Sequence, residues 1–133
     1  MYFSGSICFK VTDTASFDDD ITNQIGFQPT EIVKKGTQVT QQRIAPCNIW
    51  FYTVKFEDTN FNEQLYGLTC FLLEYKGNIR ALVSRYERVE IDIYLHTLYG
   101  QFGFSLPSVV VDNISRLGIN INFHLLSYGG VAD

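Results

Sequence analysis

The chain has 133 residues, a length that suits one domain and lets roughly 65 to 70% of the unfolded surface be buried. Hydrophobic residues make up 46% and aromatics 15%, spread from Phe3 to Val131, which excludes a chain without a core. The formal charge of −4 argues against a sequence-independent grip on nucleic-acid phosphates, and no apolar run approaches the roughly 20 residues that span a bilayer.

Three cysteines, Cys8, Cys47 and Cys70, are odd in number and lack CxxC spacing, which predicts reduced thiols with neither a disulfide framework nor a zinc site. The opening residues Met1 to Ser6 lack the basic and apolar regions of a secretory signal, so a cytoplasmic chain is expected.

In chain order, Phe3, Ile7, Phe9 and Val11 alternate with Ser4, Ser6, Cys8 and Lys10, the pattern of a strand with one buried side. Ser16 and the acidic turn Asp18-Asp19-Asp20 then start a short helix carrying Ile21 and Ile25, with Gly26 as its left-handed terminator and Pro29 beyond. Lys34 to Gln42 reads as a polar excursion, with an edge strand around Ile32 and Val33. Asn48 to Phe56 is rich in aromatic and branched residues and predicts a central strand covered on both faces. From Asn62 the period becomes helical through Leu65, Leu68, Leu72 and Tyr75 to Tyr86, one long helix bent or broken near Gly77. Val89, Ile91, Ile93 and Leu95 alternate with Glu90, Asp92, Tyr94 and His96 in a strand with one wet side. Gly100 to Gly103 is a turn, Pro107 and Gly118 bracket a last helix, and a final strand runs from about Ile119 to Leu126.

This order predicts a single α+β domain over residues 1–133: two layers, with helices on one face of a mainly antiparallel sheet. The segments Asp20 to Phe27 and Asp112 to Ile119 echo one another, each placing an Asp six residues before a helix-ending Gly, so a ferredoxin-like duplication is the alternative. The expected core includes Trp50, Phe51, Leu65, Leu68, Leu72, Ile91, Ile93, Ile121 and Phe123.

Candidate chemistry is sparse. His96 and His124 share the polar sides of their strands with Glu90, Asp92, Tyr94, Asn120 and Asn122, a set able to act as a base or bind a metal. No HxH or HxxxH spacing fixes such a geometry, and a solvated sheet face accounts for the same residues. Cys8 on the first strand is within reach of His124 in principle, yet free cysteines usually pack as small hydrophobes. The Asp18 to Asp20 turn lacks the spaced oxygen ligands of a calcium loop, and helix-dipole stabilisation explains it. Arg80, Arg85 and Arg88 lie beside Glu87 and Glu90 and read as local ion pairing. No catalytic triad, phosphate loop or dinucleotide fingerprint is present, so no cofactor, metal or catalytic residue is expected.

The run Ile25-Gly26-Phe27-Gln28-Pro29-Thr30, followed by Lys35-Gly36, Trp50, Gly103-Phe104-Ser105-Leu106 and Leu117-Gly118-Ile119, resembles the small bacterial proteins grouped as domain of unknown function 4279. The resemblance implies a compact α+β domain in the bacterial cytoplasm and suggests an immunity partner of a polymorphic or contact-dependent toxin. A small acidic protein without a catalytic set suits that role, because many nuclease toxins are basic. The expectation is therefore a non-enzymatic protein-binding module for a cognate toxin or other basic protein. Glu90, Asp92, Tyr94, His96, Asn122 and His124 form its partner-binding face. A small-ligand-binding or regulatory domain is the alternative, and an unrecognised enzyme comes third.

Overall fold

A computed structural model describes residues 2–13 and 21–130. In chain order the elements are β1 (Ser4–Asp13), α1 (Ile21–Ile25), β2 (Glu31–Val33), β3 (Gln38–Thr40), β4 (Arg43–Ile44), β5 (Asn48–Glu57), α2 (Phe61–Leu73), α3 (Lys76–Arg85), β6 (Arg88–Tyr99), α4 (Ser108–Leu117) and β7 (Asn120–Gly130). Five strands form one mixed sheet in the order β2-β5-β1-β6-β7, and β3 with β4 makes a separate small hairpin that starts in the predicted polar excursion and ends just beyond it. β1 runs antiparallel to both β5 and β6, β2 runs antiparallel to β5, and β7 alone lies parallel to its neighbour β6. The α+β class and the mainly antiparallel sheet are as the sequence predicts.

The ferredoxin-like duplication is not seen. The first half joins β1 to an antiparallel partner, β5, while α4 carries the chain from β6 to an adjacent parallel strand, so the two halves differ in strand direction. The echo between them reflects a shared way of ending a helix: Gly26 and Gly118 take positive φ values of 104° and 71°, where a side chain would be strained.

Alternation sorts the strands into two faces. Phe3 just before β1, Ile7, Phe9 and Val11 of β1, Trp50 and Phe56 of β5 and Val89, Ile91, Ile93 and Leu95 of β6 join Ile21, Leu65, Leu72, Ile79, Leu82, Val110 and Leu117 of the helices in one core. Trp50 is its centre: fully buried, it meets Phe9 and Phe27 edge-on at centroid distances of 6.1 and 5.5 Å and donates its indole N–H to Thr22 Oγ1 at 3.1 Å. That bond satisfies the one polar atom of the ring and ties α1 to the sheet. α2 and α4 are joined inside the helical layer by Asn113, whose amide donates to Thr69 Oγ1 at 3.2 Å.

Two expectations are corrected and one is refined. The long helix is broken into two near Gly77, as expected, but the break itself falls at Glu74 and Tyr75, and Gly77 lies in the first turn of α3. There the amides of Glu74 and Tyr75 reach back three residues, to the carbonyls of Phe71 and Leu72, closing α2 with a tighter turn. Phe51 is not core: it pairs with Lys10 and Glu31 across the neighbouring strands and so points, half-buried, to the side opposite the helices. For the same reason β5 is covered by helices on one face only. The remaining core expectations hold, with Ile121 and Phe123 partly buried against the cluster. The acidic turn Asp18 to Asp20 lies outside the described residues. None of the described helices is long and apolar enough to cross a membrane.

Candidate functional site

The side of the sheet away from the helices carries Ser4, Ser6, Cys8, Lys10 and Thr12 from β1, Phe51, Thr53 and Lys55 from β5, Glu90, Asp92, Tyr94 and His96 from β6, and Asn122 and His124 from β7. Because β6 and β7 are parallel neighbours in register, Asp92 stands beside Asn122 and Tyr94 beside His124. The central position of β1 adds Lys10 from the other side, opposite Glu90.

At the middle of this face Asp92 is only 4% exposed, unusual for a carboxylate. Lys10 Nζ lies 3.0 Å from its Oδ2, the Asn122 amide donates to its Oδ1 at 3.0 Å, and His124 Nε2 lies 3.3 Å from the same Oδ1. Burial pushes the Asp92 carboxyl upward, but the Asn122 amide and the Lys10 ammonium outweigh it, so the group titrates below the ordinary carboxylate range. Burial likewise works against the Lys10 ammonium, and the Tyr94 hydroxyl and the Asp92 carboxylate more than offset it, which moves Lys10 above the ordinary lysine value. Lys10 also donates to the Tyr94 hydroxyl, and Asn122 reaches Glu90 Oε2 at 2.9 Å. Above this network the Tyr94 and His124 rings stack, with centroids 4.6 Å apart and planes 13° from parallel.

Tyr94 divides the face into two open clefts. One, of about 670 Å³, is lined by Lys10, Thr12, Cys47, Arg88, Asn122 and His124 among others; the second, of about 590 Å³, by Ser4, Ser6, Lys55, Glu57, Asn60 and His96. Of the six predicted residues, Glu90, Asp92, Tyr94, Asn122 and His124 are brought together. His96 is not: it projects into the second cleft, where its Nε2 lies 3.0 Å from Ser4 Oγ across the β1–β6 pair.

Lys10 was missing from the predicted set although it holds the network together. The signal for it was a lone cation on the polar side of a strand whose other polar-side residues, Ser4, Ser6 and Cys8, are small and uncharged.

The arrangement offers little for covalent chemistry. The Cys8 thiol is buried, accepts a hydrogen bond from Thr53 Oγ1 at 3.4 Å, and is pushed upward by burial, which disfavours the thiolate. The Ser4–His96 pair has no carboxylate bonded to the second imidazole nitrogen among the described residues. No group of three or more His, Cys, Asp or Glu that could hold a metal ion occurs among the described residues, and all three cysteines are free. The chain belongs to the family described as domain of unknown function (DUF4279), which it matches over residues 6–128. No curated protein and no solved structure matches it.

Proposed function

We propose that this family member is a non-enzymatic protein-binding module that takes its partner on the uncovered sheet face around Tyr94 and His124. Its concrete role in this reading is that of a cytoplasmic immunity protein that occludes a basic toxin domain. The carrying observation is the Tyr94–His124 stack held from beneath by the Lys10–Asp92 pair. A buried ion pair adds little net stability, because desolvating both charges costs about what their attraction returns. What this pair does is fix two exposed aromatic rings before any partner arrives. Rigid aromatics surrounded by polar groups are the usual composition of an interface hot spot, and fixing them in advance lowers the ordering cost of association. The net charge of −4 favours encounter with a basic partner.

Small-ligand binding draws on the same 670 Å³ cleft, a volume within the usual range for ligands. Ile49, Ile121 and Phe123 supply some apolar lining, but Lys10, Arg88, Glu90, Asp92 and Asn122 make the cleft largely polar and it is open to solvent, which favours a protein surface over a pocket that buries a small molecule. The test is co-expression with a toxin domain encoded beside the gene. Protection by the wild type, lost in Tyr94→Ala and weakened in Glu90→Lys, is the expected outcome. Full protection by both folded variants would remove this face, and failure of the wild type to protect would remove the immunity role.

A further inference from the structure

The two edges of the sheet are managed differently. At one end β2 is three residues long, contains Glu31 and is followed by Lys34 and Lys35, so shortness and charge discourage another strand from pairing there. At the other end β7 runs for 11 residues, Asn120–Gly130, and has no hydrogen-bonded strand on its outer side among the described residues. It contains no Asp, Glu, Lys, Arg or Pro. Leu125, Leu126 and Tyr128 are more than half exposed, and Leu98 on the adjoining part of β6 is 70% exposed. A long, uncharged edge with exposed apolar side chains is the kind that proteins ordinarily blunt unless something covers it.

We propose that a second copy of this chain covers it: two β7 strands pair antiparallel across a two-fold axis, joining the two five-stranded sheets into one. The absence of formal charge selects this occupant. In a two-fold pairing each residue meets a residue of the same strand, so any lysine or glutamate near the centre would face its own like charge. β7 offers none, although the molecule as a whole is negative. A register centred on Leu125 or Leu126 sets these leucines against each other or against their immediate neighbours. Strand alternation then keeps both open faces on the same side. Eleven paired residues make about ten inter-strand hydrogen bonds, the usual number for a whole protein interface. The open face of one copy thereby continues into that of the other, with His124 close to the junction. This inference rests on the edge alone and stands or falls separately from the role assigned to Tyr94.

Sedimentation velocity over a concentration series tests it, beside hydrogen exchange of the β7 amides. The wild type should sediment at twice the chain mass, and Leu125→Lys with Leu126→Lys should return it to one chain mass with an unchanged circular dichroism spectrum. Both positions are solvent-exposed, so the substitution does not disturb the core. Ile32→Lys on the opposite edge should leave the dimer intact. The β7 amides should exchange more slowly as concentration rises, a readout that holds even if the double variant folds poorly. A wild type that stays monomeric throughout, or a dimer that survives the two lysines, would overturn the proposal.

Discussion

Replacing Lys10 with methionine removes the cation of the network while keeping the length of the side chain. The expected loss lies between two limits. An exposed ion pair is worth about 0 to 1 kcal/mol, and stripping one partner from a fully buried pair costs about 3 to 5 kcal/mol. The Lys10 side chain is 18% exposed and that of Asp92 6%, which places the pair nearer the buried limit, but Asn122 and His124 remain on the carboxylate. About 2 to 3 kcal/mol is therefore expected, or roughly 10 °C in melting temperature for a chain of this size. The loss should also depend on pH. Asp92 titrates lower in the folded chain than in the unfolded one, so its contribution is present above the ordinary carboxylate value and is lost as pH falls through the folded value. Lys10 titrates higher when folded, so its contribution is full below the ordinary lysine value and is lost as pH rises through the folded one. The pair thus stabilises between about pH 4 and about pH 10. As pH falls below that window and through the folded value, Asp92 becomes protonated and needs no cation, so the deficit of Lys10→Met should close. Urea unfolding of both proteins across this range reads it directly. An unchanged midpoint at neutral pH, or a deficit that does not shrink at any acid pH at which the protein stays folded, would refute the reasoning.

Truncating Leu72 or Ile93 to alanine should cost about 2 to 5 kcal/mol each in the same urea assay, since both side chains are fully buried; two unchanged midpoints would contradict the core described above. Gly5→Ala should unfold more readily than the wild type, because a Cβ there would sit 1.7 Å from the Tyr94 carbonyl oxygen, and a neutral substitution would show that β1 and β6 lie farther apart. Lys10→Met combined with Asp92→Leu should lose less than the sum of the single changes, as an uncharged pair leaves no buried ion; simple additivity would deny the coupling.

The two faces of β1 and β6 were legible because alternation maps directly onto burial where one side of a strand is covered. Phe51 was misread for the opposite reason: in the run Trp50-Phe51-Tyr52 every residue is apolar, and no alternation marks which ring faces the helices. Gly77 marks the region of the helix break, but Glu74 and Tyr75, where the break falls, carry no glycine or proline to announce the exact position. Parity places Glu90, Asp92 and Tyr94 on one side of β6 and Asn122 and His124 on one side of β7, and the β6–β7 pairing brings the two sets together. That Asp92 is buried was not legible, because its burial depends on Lys10 and His124 arriving from strands far away in the chain. His124 is 32 residues from Asp92, and Lys10 is 84 from the Tyr94 it also binds. Strand order sets such meetings, and a local pattern carries no information about it.

The open sheet face and the helical layer are the two surfaces on which a partner could dock. Tyr94 stands on the open sheet face at 37% exposure, and Tyr66 stands on α2 in the helical layer at 45%, so the two provide matched aromatic truncations on different elements. Titration calorimetry of each alanine variant against a toxin domain encoded beside the gene separates the two surfaces. If the sheet face is the contact, Tyr94→Ala should weaken binding by about 2 kcal/mol, roughly 30-fold, while Tyr66→Ala leaves it nearly unchanged. Unaltered affinity in a folded Tyr94→Ala, with the loss falling on Tyr66→Ala, would contradict it.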